Sequence, residues 1–108
     1  MILIIGGAYQ GKEEYALSRF EKEQIVPDFH REVRLWVEQG LDPVETLRGK
    51  MAEYADKVIL CDDISGGIVP MDPVDRAWRE AVGRCSAYLS RHADEVVRLF
   101  CGIPTRLK

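Results

Sequence analysis

Apolar residues fall along this chain in two patterns, short unbroken runs and stretches at helical spacing, and the two alternate. Ile2-Leu3-Ile4-Ile5, ended by Gly6-Gly7, and Val58-Ile59-Leu60-Cys61, ended by Asp62-Asp63, are unbroken. A run with no polar alternation suits a strand buried on both faces of a parallel sheet. A third run covers 96–101, and Gln24-Ile25-Val26, halted by Pro27, predicts a very short strand. Helical spacing fills the intervals. Over 12–22, Tyr15, Ala16, Arg19 and Phe20 form a partly apolar face. Asp28 stands where it can cap a helix striped by Phe29, Val33, Trp36 and Val37 and closed by Gly40. Asp42, Pro43 and Glu45 supply a cap, a first-turn proline and a capping-box acid to a helix striped by Val44, Leu47, Met51 and Tyr54. Asp72, Pro73 and Asp75 open a long helix that runs to about Ala93, with Val74, Trp78, Ala81, Cys85 and Tyr88 or Leu89 on one side.

Helices that separate buried strands predict an α/β fold with helices on both faces of the sheet and right-handed crossovers. The expected architecture is a three-layer single domain over 1–108 with three to four mainly parallel strands. Trp36 and Trp78 lie on apolar stripes and read as core or interface aromatics. The glycine-rich stretch Ser65-Gly66-Gly67, followed by Ile68-Val69-Pro70, reads as a loop that lines an interface or closes over a ligand. Gly102-Ile103-Pro104 reads as a turn before a basic tail.

Composition narrows the function. At 108 residues with 46% apolar and 31% charged positions, the chain has room for one folded core. It hides only about 60–70% of its unfolded surface, so an oligomer or a ligand adds to its stability. A net charge of -3 offers no basic stripe for nucleic acid. No apolar run reaches the roughly 20 residues of a membrane span, and MILIIGG lacks a basic leader, so a cytoplasmic protein is expected. The three cysteines, Cys61, Cys85 and Cys101, have neither disulfide nor zinc-ladder spacing, and Cys61 and Cys101 fall in strand-like runs as small buried hydrophobes.

The candidate chemistry sits after the first strand. Gly6-Gly7-Ala8-Tyr9-Gln10-Gly11-Lys12 satisfies G-x-x-x-x-G-K between a strand and a helix. Small residues let successive backbone N–H groups curl around phosphate oxygens, the helix N-terminus adds its positive end, and Lys12 neutralises the β/γ-phosphate region. Cofactor contacts are thus expected from Gly6, Gly7, Ala8, Gly11, Lys12 and Glu13. The competing reading is a structural glycine turn with Lys12 solvated. Glu13 stands where such loops carry a Ser or Thr that holds Mg²⁺; its carboxylate can ligate Mg²⁺ but also brings negative charge towards phosphates. Asp62 and Asp63 follow a buried strand, where nucleotide-hydrolysing folds keep the acid that supports Mg²⁺. They also suit a turn in which they cap local amides.

Further residues carry a family resemblance. Gly67-Ile68-Val69-Pro70, then Arg76, Arg79, Gly83 and Arg84, then Ala93-Asp94-Glu95-Val96, then Gly102, Pro104 and Lys108, stand in the order of blocks found in the cobinamide kinase/cobinamide-phosphate guanylyltransferase family. The opening Gly6-Gly7-Ala8 and Gly11-Lys12 resemble that family's phosphate loop as well. The resemblance implies a small P-loop NTPase-like domain, ATP or GTP with Mg²⁺ as cofactors, a corrinoid substrate in cobalamin biosynthesis, and a homo-oligomer, a trimer. Phosphoryl transfer to a corrinoid hydroxyl would use Lys12 to stabilise charge, Asp62 or Asp63 to place Mg²⁺, with Glu13 and Asp62 as metal ligands, and Arg76 or Arg79 to hold substrate oxygens. The family also transfers a guanylyl group through a histidine in H-x-x-x-R-P. His30 precedes Arg34 at that distance, with Leu35 in place of the proline. His30 is therefore either the remnant of that acceptor or a solvated or cap-proximal histidine. The chain lacks much of the family's middle, and Glu13 departs from the loop pattern. These departures keep two alternatives open, a nucleotide-binding or regulatory relative without turnover and a structural assembly protein.

Overall fold

In the computed structural model, residues 1–64 and 70–108 are described. The loop of Ser65 to Val69 read above lies outside the described residues. The chain forms β1 (Ile2–Gly6), α1 (Lys12–Arg19), a 3₁₀ turn (Lys22–Gln24), β2 (Ile25–Val26), α2 (Phe29–Glu38), α3 (Pro43–Lys50), β3 (Val58–Asp62), α4 (Pro73–His92), β4 (Glu95–Phe100) and β5 (Ile103–Arg106). The strands make one sheet in the order β2-β3-β1-β4-β5. The first four are parallel, and β5 runs antiparallel to β4. Among the described residues, no helix is long and apolar enough to cross a membrane.

The α/β three-layer fold follows from burial on both sheet faces. Leu3, Ile59, Cys61 and Val96 pack beneath Phe29, Val33 and Trp36 of α2, Leu47 of α3, and Ala81, Val82, Cys85 and Leu89 of α4. Ile4, Val58, Leu60, Val97 and Leu99 point the other way, where Ala16 of α1 covers them. The unbroken runs are thus apolar because alternate residues enter different cores. Phe29 meets Trp36 and Tyr54 edge to face, at centroid distances of 5.9 and 6.3 Å.

Local signals set the helix starts. The Asp72 carboxylate accepts from the amides of Val74, at 2.7 Å, and Asp75, at 3.4 Å. Asp42 accepts from the Glu45 amide at 3.1 Å. Asp72→Ala removes the cap of the longest helix and is expected to cost about 1 kcal/mol. Thermal unfolding then shows a midpoint about 4–8 °C lower, and an unchanged midpoint would show that α4 is held by packing alone.

Four expectations are corrected. Asp28 occupies the cap position of α2, but at φ 54° in the left-handed region and with no side-chain cap. α1 ends at Arg19 because Phe20 turns extended and lays its ring against the sheet, where Arg19 stacks 4.8 Å from it. Cys101 is exposed in a turn and not in a strand. The supposed tail after Gly102 forms β5. Cys101 and Gly102 both have positive φ, 52° and 75°, which is the backbone of a two-residue hairpin turn. Pro104 is tolerated because β5 is an edge strand. The other two thiols are buried, and burial pushes Cys61 up to about 12 and Cys85 up to about 11.

Candidate functional site

β1 and β3 lie side by side, with Gly6 in register with Asp62. The loop after β1 and the acid that ends β3 therefore meet at the carboxyl edge of the sheet, between the strands whose order brings a ligand crevice to this edge. The Asp63 amide donates to the Gly6 carbonyl at 2.8 Å and ties the two strand ends together. Gly6 permits a close approach on its other side, since a Cβ there would stand 2.5 Å from the Leu99 carbonyl oxygen of β4. The loop then needs left-handed backbone twice, at Tyr9 (φ 61°) and at Gly11 (φ 93°). Gly11 begins α1 without a side-chain cap, and the amides of a first helical turn have no intrahelical acceptor. Gln10 braces the loop against the β4–β5 turn. Its carbonyl accepts from the Gly102 amide at 3.0 Å, and its side-chain oxygen accepts from the Cys101 amide.

Lys12 is the pivot of the site. Its side chain is only 9% exposed, and its Nζ donates to the Gly7 carbonyl at 2.8 Å and pairs with Asp62 Oδ1 at 2.6 Å. The solvated-lysine reading of the loop is thereby corrected, because the ammonium is folded into the loop and held by a carboxylate from the neighbouring strand. His30 is also buried and lies against Asp62. Its Nε2 is 3.5 Å from Asp62 Oδ2, and its Nδ1 accepts from the Asp62 amide at 3.2 Å. Burial lowers the His30 pKa from its ordinary value, and the Asp62 charge opposes that shift only in part. Trp78 Nε1 donates to the His30 carbonyl at 2.7 Å, which links α4 to the start of α2.

A cleft of about 720 Å³ opens over these groups. It is lined by Ala8 to Glu14, Leu17, Pro27, Asp28, Arg31, Leu60, Asp62 and Gly102, and its volume is in the range of small-molecule sites. Two cations, Lys12 and Arg31, face four carboxylates there, those of Glu13, Glu14, Asp28 and Asp62. A bare polyphosphate would meet net repulsion, whereas a phosphate chain carrying a divalent cation would not. Among the described residues, no three His, Cys, Asp or Glu side chains converge on a metal position. Mg²⁺ needs no such cage, since one or two carboxylates and the phosphates of a nucleotide suffice. Asp62 and Glu13 are carboxylates of that kind on the cleft wall. A second, more apolar cleft of about 610 Å³ adjoins the first through Pro27, Asp28 and Arg31, and is completed by Val26, Glu32, Arg34, Leu35 and Trp78. Arg34 lies 5.2 Å from the centre of the Trp78 ring and pairs with Asp75 at 2.5 Å.

Of the residues singled out from sequence, Ala8, Gly11, Lys12, Glu13 and Asp62 come together around the first cleft. Gly6 and Gly7 shape the loop beneath it. Asp63 is exposed and outside the cleft lining. Arg76 donates to the carbonyls of Pro70, at 3.1 Å, and Met71, at 2.7 Å, and so braces the start of α4. Arg79 lines neither cleft. The solvated reading of His30 is corrected too, for the ring is buried. Arg31, Asp28, Gln10 and Gly102 were missed as cleft residues. Gln10 carried a signal by lying inside the loop motif, and Gly102 as a glycine after a strand.

The family model described as cobinamide kinase/cobinamide phosphate guanyltransferase matches residues 31–107, from the first turn of α2 to the end of β5. The loop before α1 precedes the matched stretch. No curated protein matches the chain. The match spans most of the fold, including Asp62 and both arginines of α4 singled out above, and the chain belongs to the cobinamide kinase/cobinamide phosphate guanyltransferase family.

Proposed function

We propose that this protein binds ATP or GTP as its Mg²⁺ complex in the cleft between the β1–α1 loop and β3, and transfers the terminal phosphoryl group to a corrinoid-type hydroxyl. The observation that carries this reading is the buried Lys12 ammonium, held at the end of the loop by Asp62 from the adjacent strand. A cation in that place draws the β- and γ-phosphate oxygens into the loop. Loop amides and Lys12 then stabilise charge on the transferring group. The acceptor oxygen bonds to the γ-phosphorus, the bond from that phosphorus to the β–γ bridging oxygen breaks, and the hydroxyl proton is released. Asp62 and Glu13 would hold Mg²⁺, which supplies charge neutralisation when bound. The acceptor enters from the adjoining apolar cleft, whose Leu35 and Trp78 suit an apolar macrocycle. The family resemblance leads us to add a homotrimer in which neighbours complete the walls of that cleft.

Calorimetry with ATP, GTP and their diphosphates, with and without Mg²⁺, tests the binding step. Micromolar affinity strengthened by Mg²⁺ is expected, followed by conversion of cobinamide to its phosphate on mass spectrometry. A folded chain that ignores millimolar nucleotide would sink this reading. A second reading is favoured by Glu13, whose carboxylate replaces the usual hydroxyl next to Lys12. In that case nucleotide binds but no cobinamide phosphate forms, and the protein is a regulatory relative.

A further inference from the structure

We propose that His30 is a positioning residue for Asp62, and does not accept a guanylyl group. The proposal rests on the reading of Asp62 as part of the phosphate site.

A histidine that attacks phosphorus needs a ring nitrogen with a free lone pair facing the substrate. His30 presents neither nitrogen in that way. The Nδ1 lone pair is occupied by the Asp62 amide N–H at 3.2 Å. An Nδ1 that accepts places the proton of the neutral ring on Nε2, and Nε2 faces Asp62 Oδ2 at 3.5 Å. The ring is buried and lines neither cleft. Its backbone is pinned as well, because the His30 carbonyl accepts from Trp78 Nε1 at 2.7 Å. Turning the ring outward would leave the part-buried Asp62 amide without its acceptor.

The same contacts give His30 a task. Asp62 has two carboxylate oxygens, and each faces a different partner: Oδ1 meets Lys12 Nζ, and Oδ2 meets His30 Nε2. With its amide held by His30 Nδ1 and its Oδ1 by Lys12, Asp62 has its backbone set by the imidazole, and the ring walls off the Oδ2 side of its carboxylate. This fixes the direction from which the carboxylate approaches Lys12 and any Mg²⁺ riding on the phosphates. The chain from Trp78 to His30 to Asp62 to Lys12 further couples the first turns of α4 to the phosphate loop.

Three measurements test this. Nitrogen-correlated NMR of the nucleotide-free protein at neutral pH should show His30 as the Nε2–H tautomer, with Nδ1 unprotonated. The Nδ1–H tautomer, or a freely averaging ring, would overturn the assignment. Calorimetry with ATP compares His30→Asn, whose amide oxygen can replace the Nδ1 acceptor, with His30→Leu, which cannot. His30→Leu should lose about tenfold of the Mg²⁺-dependent gain in affinity while Mg²⁺-free affinity stays level, and His30→Asn should recover most of it. Equal behaviour of wild type and both variants would overturn the positioning role. Finally, incubation with GTP labelled at the α-phosphate should leave no acid-labile label on the protein. Label that disappears in His30→Asn would show that His30 is the acceptor after all. A wild-type chain that binds no nucleotide would instead remove the phosphate-site reading, while the tautomer spectrum still decides whether His30 holds Asp62.

Discussion

Lys12→Ala is expected to lower affinity for Mg²⁺–ATP or Mg²⁺–GTP by at least about 100-fold in calorimetry, while the protein stays folded. Among the described residues, Lys12 is the only lysine or arginine that is buried. Hydrogen bonds to charged groups contribute about 1.5–3 kcal/mol each, so one lost phosphate contact removes about 10- to 100-fold and a bridging lysine makes two. Lys12→Arg should rescue poorly, because a planar guanidinium cannot occupy the narrow space between the Gly7 carbonyl and Asp62 as a compact ammonium does. The substitution also strips Asp62 of its ion-pair partner. Asp62 remains 23% exposed, so the stability loss stays below the about 3–5 kcal/mol expected for breaking a fully buried pair. Adding Asp62→Asn should return much of that stability and none of the binding. Affinity unchanged in Lys12→Ala would mean that the loop is a structural turn.

Gly6→Ala is the largest stability effect expected from a single methyl group. The new Cβ would lie 2.5 Å from the Leu99 carbonyl oxygen. That atom is backbone in the adjacent strand, so no side chain can swing aside. β1 is the central strand, paired with β3 on one side and β4 on the other. Forcing β1 and β4 apart disturbs both cores at once. Overpacking of this kind costs about 1–3 kcal/mol, and the upper end applies here, which lowers the unfolding midpoint by about 10–20 °C. Gly49→Ala is the control. It lies in α3 with nothing within 4 Å of its Cβ position, and should raise stability by about 0.5–1 kcal/mol. Equal midpoints for the two variants would show that β1 and β4 can separate freely.

Much of the fold was legible in the chain, for reasons that are local. The cap and proline at Asp42-Pro43 and Asp72-Pro73 act within one helical turn, and both helices begin at those prolines. The β1 and β3 runs are apolar along their length because each strand is buried on both faces. The loop was legible because close approach of backbone to phosphate needs its glycines at a fixed spacing from Lys12. Asp28 misled because its side chain belongs to the cleft wall and not to the helix it precedes. β5 was hidden by Pro104, a strand breaker everywhere except at an edge.

The site itself was half legible. Lys12 and Asp62 could each be named, since Lys12 closes the glycine-spaced loop after β1 and Asp62 ends β3. Their 2.6 Å contact depends on β1 and β3 becoming neighbours, though a strand and three α-helices separate them along the chain. His30 pairs with Asp62 across 32 residues, and Gln10 reaches the Cys101 amide across 91. By itself the sequence determined where strands and helices begin, which loop has the backbone freedom to wrap a phosphate, and which family the chain resembles. Only the tertiary structure decided that Lys12 is buried, that His30 Nδ1 accepts from the Asp62 amide, and that residues 103–106 extend the sheet as β5. The physical reason is range: caps, turns and buried runs are settled within a few residues, whereas ion pairs, shared hydrogen bonds and strand order are settled by which distant segments the core brings into contact.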